Sequence, residues 1–251
     1  MWCFNLSEKQ KVYKNFIAFN ICFILIFACF NVIAMIASVL NQDGSLGNGS
    51  QAIINGVTFL TGLVWPQVFI ELIGFKFTLA LAETCYLLFF VANTFPSWAT
   101  LVPGSIFAGF GNSLSWPTLG IYFTILSKKY SQINNIPFVN AQTLLFGIFG
   151  FIFFLNYILG SIWIGTILEI EDLPLNSSYD YSQSCGLNNC PLTPLPEATS
   201  NPTLSSVYVL CGVINGACFL SIIIALLFVD DLKYDENLNP IQRGKIDFEK
   251  I

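Results

Sequence analysis

Few residues in this 251-residue chain are placed to do chemistry, and most of them stand in apolar settings. Glu83 lies inside the run Phe77–Thr94, which holds no other charge. A carboxylate in hydrocarbon is expensive, so such an acid faces a water-filled cavity, keeps its proton or pairs with a cation. No Lys or Arg lies within the apolar runs to pair with it. Two uses remain open. One is a proton- or cation-coupled transport site. The other is a neutral acid that is hydrogen-bonded between helices or reaches the cytosolic interface, about 9 Å away at helical rise. Asn31, Asn55, Gln67, Asn112, Ser113, Asn156 and Asn215 are further polar positions in apolar runs. They can line a cavity, but their commoner use is interhelical hydrogen bonding, about 0.6 kcal/mol each.

Other chemistries lack their parts. Histidine is absent, which removes the commonest proton shuttle and metal ligand. No Walker motif, H-E-x-x-H or nucleophile elbow occurs, so no enzyme and no cofactor is expected. No T-V-G-Y-G filter and no regularly spaced Arg occurs, so neither a potassium pore nor a voltage sensor is expected. A net charge of −5 without basic-aromatic patches points away from nucleic acid.

The cysteines and glycines read by location. Cys185 and Cys190 enclose four residues of a polar connection, where a disulfide is expected. Cys22, Cys29, Cys85, Cys211 and Cys218 fall in apolar runs and read as small apolar residues. Cys3 precedes the first run and is a palmitoylation candidate. Gly212 and Gly216 form a G-x-x-x-G that lets another helix approach closely, either within the chain or from another chain, the internal use being commoner. Gly104, Gly109, Gly111, Gly147 and Gly150 invite the same account.

The elements that position these residues follow from composition. The chain is 55% hydrophobic and 10% charged, against about 25% charged in a soluble domain. That balance suits a lipid-facing surface, and the apolar runs are continuous without period-two alternation, so the expected fold is an all-α membrane bundle. Six runs qualify as spans: Phe16–Val39, Gln51–Ile73, Phe77–Thr94, Pro103–Leu126, Val139–Leu168 and Val207–Val229. The expected organisation is an N-terminal arm (1–15), a six-span domain (16–229) with one long outer loop (169–205), and a polar, flexible tail (230–251). The first run is too long for a signal-peptide core and reads as a retained anchor.

Charge orients the spans. Lys9, Lys11, Lys14, Lys76, Lys128, Lys129, Lys233, Arg243, Lys245 and Lys250 are all ten basic residues, and six spans place them on one face. The positive-inside rule makes that face, and both termini, cytosolic. The sequons at Asn48 and Asn176 then fall on the outer side as glycosylation sites, as do Cys185 and Cys190.

Residue patterns go further. Trp98-Ala99-Thr100-Leu101-Val102-Pro103 precedes Gly109-Phe110-Gly111, then Trp116, then Tyr122-Phe123-Thr124. Phe146-Gly147-Ile148-Phe149 follows in the fifth run, Cys185-Gly186 and Cys190 in the long loop, and Leu46-Gly47 stands in the first. This order resembles the unc-ninety-three-like branch of the major facilitator superfamily, from about Phe16 to Phe228, with the cysteines matching its C-G-x-x-x-C. The resemblance implies the N-terminal six-helix half of a facilitator-type bundle. It also implies a regulatory or trafficking subunit, for example in potassium-channel regulation, in the plasma or an endolysosomal membrane. The alternative it implies is a transporter of a small solute or ion. The family has about twelve spans, so a transport site here needs a second half or a second copy of the chain. The superfamily's charged clamp between the second and third spans is reduced: Glu71 holds its acid position, Leu72 its Arg position, Gly74 is retained and Lys76 is its final base. The expected partners are the lipid bilayer, a potassium channel or other membrane protein, and a second copy.

Overall fold

In a bilayer every backbone N–H and C=O needs an internal partner, so continuous apolar runs become helices. The computed structural model describes residues 6–40, 46–167 and 204–234. They form six helices: α1 (Glu8–Leu40), α2 (Leu46–Gly62), α3 (Trp65–Thr94), α4 (Trp98–Asn134), α5 (Phe138–Ile167) and α6 (Leu204–Phe228). The protein is an all-α membrane bundle. Four segments are long and apolar enough to cross a membrane by length and composition: Glu8–Met35, Trp65–Thr94, Phe138–Ile162 and Val207–Phe228.

The expected second and fourth runs take a different form. The second is divided: α2 ends at Gly62, and the helix restarts at Trp65 with Pro66 in its first turn. Proline lacks the N–H that an unbroken helix would need there. Gly74, at φ 81° and ψ 171°, then turns the chain within α3, where the sequence places a tight connection. The fourth run is longer than its apolar portion. Ser97 caps α4, accepting from Thr100 N while Thr100 Oγ1 accepts from Ser97 N, and Asn135 ends it in a left-handed conformation. Many of α4's Gly, Ser and Thr residues are buried, and Gly104, Gly109 and Gly111 meet neighbouring helices.

Those glycines set the helix spacing. A Cβ at Gly104 would stand 2.8 Å from Ala92 Cβ, and one at Gly111 2.7 Å from the Ala82 carbonyl oxygen, both on α3. A Cβ at Gly109 would stand 2.6 Å from the Ile54 carbonyl oxygen on α2. On the other side of the bundle α5 approaches α1 at Gly160, beside Ala28 and Val32. Aromatic rings fill the space between α1, α4 and α5. Phe27 meets Trp116 at 5.2 Å and Phe153 at 5.4 Å, Phe19 stacks on Tyr122 at 4.8 Å, and Phe123 meets Phe149 at 5.4 Å. The outward sides of α5 and α6 expose Phe151, Phe154, Phe219 and Leu227, as lipid-facing helices do.

Gly212 and Gly216 behave differently from the α4 glycines. Both are exposed on α6, and a Cβ at either meets nothing within 4 Å among the described residues. The described helices do not pack against this pair. Gly147 and Gly150 on α5 are equally open. Replacing Gly111 with Val should destabilise the bundle by about 1–3 kcal/mol through overpacking, whereas Gly212→Val should change it little. Thermal unfolding of the detergent-solubilised protein measures both. Equal effects at the two positions would contradict this account of the helix spacing.

Candidate functional site

Glu83 stands on α3, buried at the junction with α1 and α6, with 2% of its surface exposed. Ser221 Oγ on α6 donates to Glu83 Oε1 at 2.9 Å, and also lies 3.3 Å from the Cys22 carbonyl oxygen on α1. Glu83 Oε2 is buried without a hydrogen-bond partner among the described residues. Among the described residues no ion pair involves Glu83. Of the alternatives the sequence leaves open, the hydrogen bond between helices is the one the geometry displays. Ser221, its donor, is a residue that sequence reasoning did not single out.

The same seam reveals what the buried cysteines do. On α1, Cys22 Sγ donates to the Ser221 carbonyl at 3.6 Å and Cys29 Sγ to the Ile214 carbonyl at 3.7 Å. On α6, Cys218 Sγ donates to the Glu83 carbonyl at 3.5 Å and Cys211 Sγ lies 3.9 Å from the Asn93 carbonyl. Both pairs are spaced seven residues apart, two helical turns, so each pair lines one stripe. A thiol is small enough for close helix approach and still a weak donor. The α1–α6 and α6–α3 contacts are thus joined by S–H to carbonyl bonds as well as by Ser221. The heptad spacing was the available signal.

The other polar positions fall into separate groups. Asn112 Oδ1 on α4 accepts from Tyr86 OH at 2.9 Å and Trp116 Nε1 at 3.0 Å, and its Nδ2 donates to Thr58 Oγ1 on α2 at 3.2 Å. This node ties α2, α3 and α4 together, and Trp116 beside it is 40% exposed. Asn31 on α1 donates to Asn156 Oδ1 on α5, and Asn156 in turn donates to the Phe153 carbonyl. Asn215 donates to the Cys211 carbonyl within its own helix at 2.8 Å, and Asn55 is exposed on α2. Gln67 donates to Glu71 at 2.9 Å, and Ser113 to the Phe110 carbonyl. Glu83, Asn112, Asn31 and Asn156 thus sit at three separate helix-to-helix contacts, whereas Asn215, Gln67 and Ser113 bond within their own helices. Asn48 is exposed in the first turn of α2. Asn176, Cys185 and Cys190 lie outside the described residues.

The end of the bundle that carries Lys14 and the segment after α6 holds the largest difference from the sequence reading. The segment after α6 does not begin as a free tail. Asp230 Oδ2 is 2.7 Å from Lys14 Nζ and accepts from Asn15 Nδ2 at 3.0 Å, while Asp230 N donates to Asn15 Oδ1 at 2.7 Å. Tyr122 OH on α4 donates to the Asp230 carbonyl at 3.1 Å. Asp231 Oδ1 accepts from Phe75 N at 2.8 Å, immediately after the Gly74 turn. A Cβ at Gly74 would collide with that carboxylate, with Cγ at 2.7 Å. An acid at a helix start meets free N–H groups and the positive end of the helix dipole. Tyr234 then packs on Phe75 at 5.4 Å. Nearby, Lys11 and Lys129 each place Nζ 2.7 Å from a Glu8 carboxylate oxygen. Their hydrogen bonds, Lys11's the larger, hold the Glu8 carboxyl at about 2, below its ordinary 4.5.

This is a helical membrane bundle in which a few buried polar groups, among them Glu83, Ser221 and Asn156, join helices. Protein unc-93 homolog A of Xenopus laevis is 30% identical over 228 residues, covering 89% of this chain and 49% of the relative. The unc-93 of Caenorhabditis elegans, whose name proposes it as a potassium channel regulatory protein, is 28% identical over 240 residues, 90% of this chain and 33% of the relative. An UNC93-like protein of Arabidopsis thaliana is 34% identical over 112 residues, 45% of this chain and 24% of the relative. No family model matches the chain. The chain is similar to the unc-93 homologs over about nine-tenths of its own length. It spans about half the length of the homolog A relatives it matches.

Two predictions follow from the polar contacts. Ser221→Ala should destabilise the bundle by about 1 kcal/mol, because it leaves the buried Glu83 carboxyl unpaired. Glu83→Gln should cost less, since its amide oxygen still accepts from Ser221. Unfolding in detergent compares them, and the reverse ranking would show that Glu83 is held otherwise. For Glu8, the folded value lies below the unfolded one, so its contribution is present above pH 4.5 and lost as pH falls toward 2. Carboxyl-carbon NMR should find its midpoint near 2 in the parent and nearer 4.5 in Lys11→Met/Lys129→Met. An unmoved midpoint would remove the lysines as its cause.

Proposed function

We propose that this chain acts as a regulatory or trafficking subunit that docks through its helices onto another membrane protein, a potassium channel being the leading candidate. The observation that carries this reading is the similarity, across 90% of the chain, to the nematode unc-93, whose name proposes potassium-channel regulation. The geometry supports it, because Glu83 is hydrogen-bonded between helices and the other polar positions are dispersed over several nodes.

The same reading takes the chain as crossing the membrane six times, with a facilitator-type half-bundle as its framework. All ten Lys and Arg residues then lie at the cytosolic side with both termini. Asn48 and Asn176 are glycosylated on the outer side, and Cys185 pairs with Cys190 there. The host membrane is the plasma membrane or an endolysosomal one. A second reading is transport of a small solute or ion, completed by a second half or a second copy. The half-exposed Trp116, held by Asn112, favours it as a surface that such a partner would face.

Co-expression of the full chain with a potassium channel separates the two readings. Regulation predicts copurification with the channel and a change in whole-cell current that survives Glu83→Gln. Transport predicts pH-dependent uptake by the chain alone that Glu83→Gln abolishes. Absence of both copurification and any current change would reject the regulatory reading.

A further inference from the structure

The contacts at the cytosolic end connect into one device. Lys14 and Asn15 of α1, Tyr122 of α4 and the Phe75 amide of α3 all bind the two residues Asp230 and Asp231 that follow α6. Glu8 of α1 reaches Lys129 of α4 beside them. Four helices are thus joined through the side chains and backbone of a short segment.

Two observations distinguish this junction from the dry packing deeper in the bundle. First, its charged groups remain in water. Lys14 and Asp230 are 28% and 45% exposed, and Lys129 and Glu8 are 25% and 57% exposed. Exposed ion pairs of this kind are individually weak and are screened by salt. Second, the backbone is shaped to receive the acid. Gly74 has a φ of 81°, favoured by glycine, and the place of its missing side chain is taken by the Asp231 carboxylate. Val229, Leu232 and Tyr234 pack against the core on either side, so the segment is seated along its length.

We propose that residues Val229–Tyr234 are a charge-held cytosolic latch that pins the ends of α1, α3 and α4 to α6, and that loosens when its ion pairs are screened or neutralised. The latch supplies from the end of α6 the acid that meets the Gly74 turn, where the sequence carries Leu72 instead of a second base. The control it provides is local. Opening frees the cytosolic end of α1 while the glycine-packed centre of the bundle stays closed. The inference is independent of whether the chain regulates a partner or moves a solute.

The test uses the full chain with Cys3→Ser in inside-out membrane vesicles and a membrane-impermeant maleimide. Val12 is 1% exposed on α1 close to the latch, and Ser115 is 3% exposed in the middle of α4. Val12→Cys should label slowly at low salt. It should label about fivefold faster at high salt, and again in the Asp230→Asn/Glu8→Gln background, while Ser115→Cys stays unlabelled throughout. The salt arm leaves the latch residues intact, so it decides the matter even where the double variant fails to insert. Unchanged labelling of Val12→Cys in high salt overturns the proposal. So does equal acceleration at Ser115→Cys, which would mean the whole bundle loosens.

Discussion

The close approach of α4 to α2 and α3 is the constraint on which the rest of this bundle depends. Lipid tails are as apolar as leucine, so helices in a bilayer gain little by hiding apolar surface from their solvent. What holds them is dense packing and hydrogen bonding at short range. Gly104, Gly109 and Gly111 bring backbone against backbone on two sides of α4, and a single added methyl at any of them would overlap a neighbour. With those distances set, Thr58 and Tyr86 can both reach Asn112, and Trp116 can lie among Phe23, Phe27 and Phe153.

A second seam runs along α6 and uses different chemistry. Small thiols on α1 and α6 point at carbonyls across the interface, and Ser221 joins Glu83. An acid in such a place is usually read as a sign of ion or proton traffic. Here its one hydrogen-bonded oxygen is used to tie α3 to α6, with α1 brought in through the Cys22 carbonyl. The hydrogen-bonding capacity of this seam is used within the bundle. The outward sides of α5 and α6, with open glycines at Gly147, Gly150, Gly212 and Gly216, leave room for close approach by other helices.

The end of the bundle where α6 finishes adds a third kind of contact. There the groups are charged and wet, and they gather several helix ends on the short segment after α6. Dry glycine packing at the centre and screened ion pairs at the rim differ in how readily they yield. That difference lets one end of the bundle respond to its surroundings while the middle stays closed.

The sequence by itself determined that the chain is helical and membrane-embedded, because long apolar runs without alternation admit one backbone solution in lipid. It also made Gly74 legible as a turn, Glu83 as a conspicuous acid and the α4 glycines as packing candidates. The partners were not legible. Ser221 lies 138 residues from Glu83 and Asp231 lies 156 from Phe75, and no local pattern links positions that meet only after three or more helices have packed. The identical small-residue signals of α4 and α6 had opposite outcomes for the same reason: Gly111 faces α3, whereas Gly212 faces outward. Periodicity tells which residues share a helix face. Only the tertiary structure decides what that face meets.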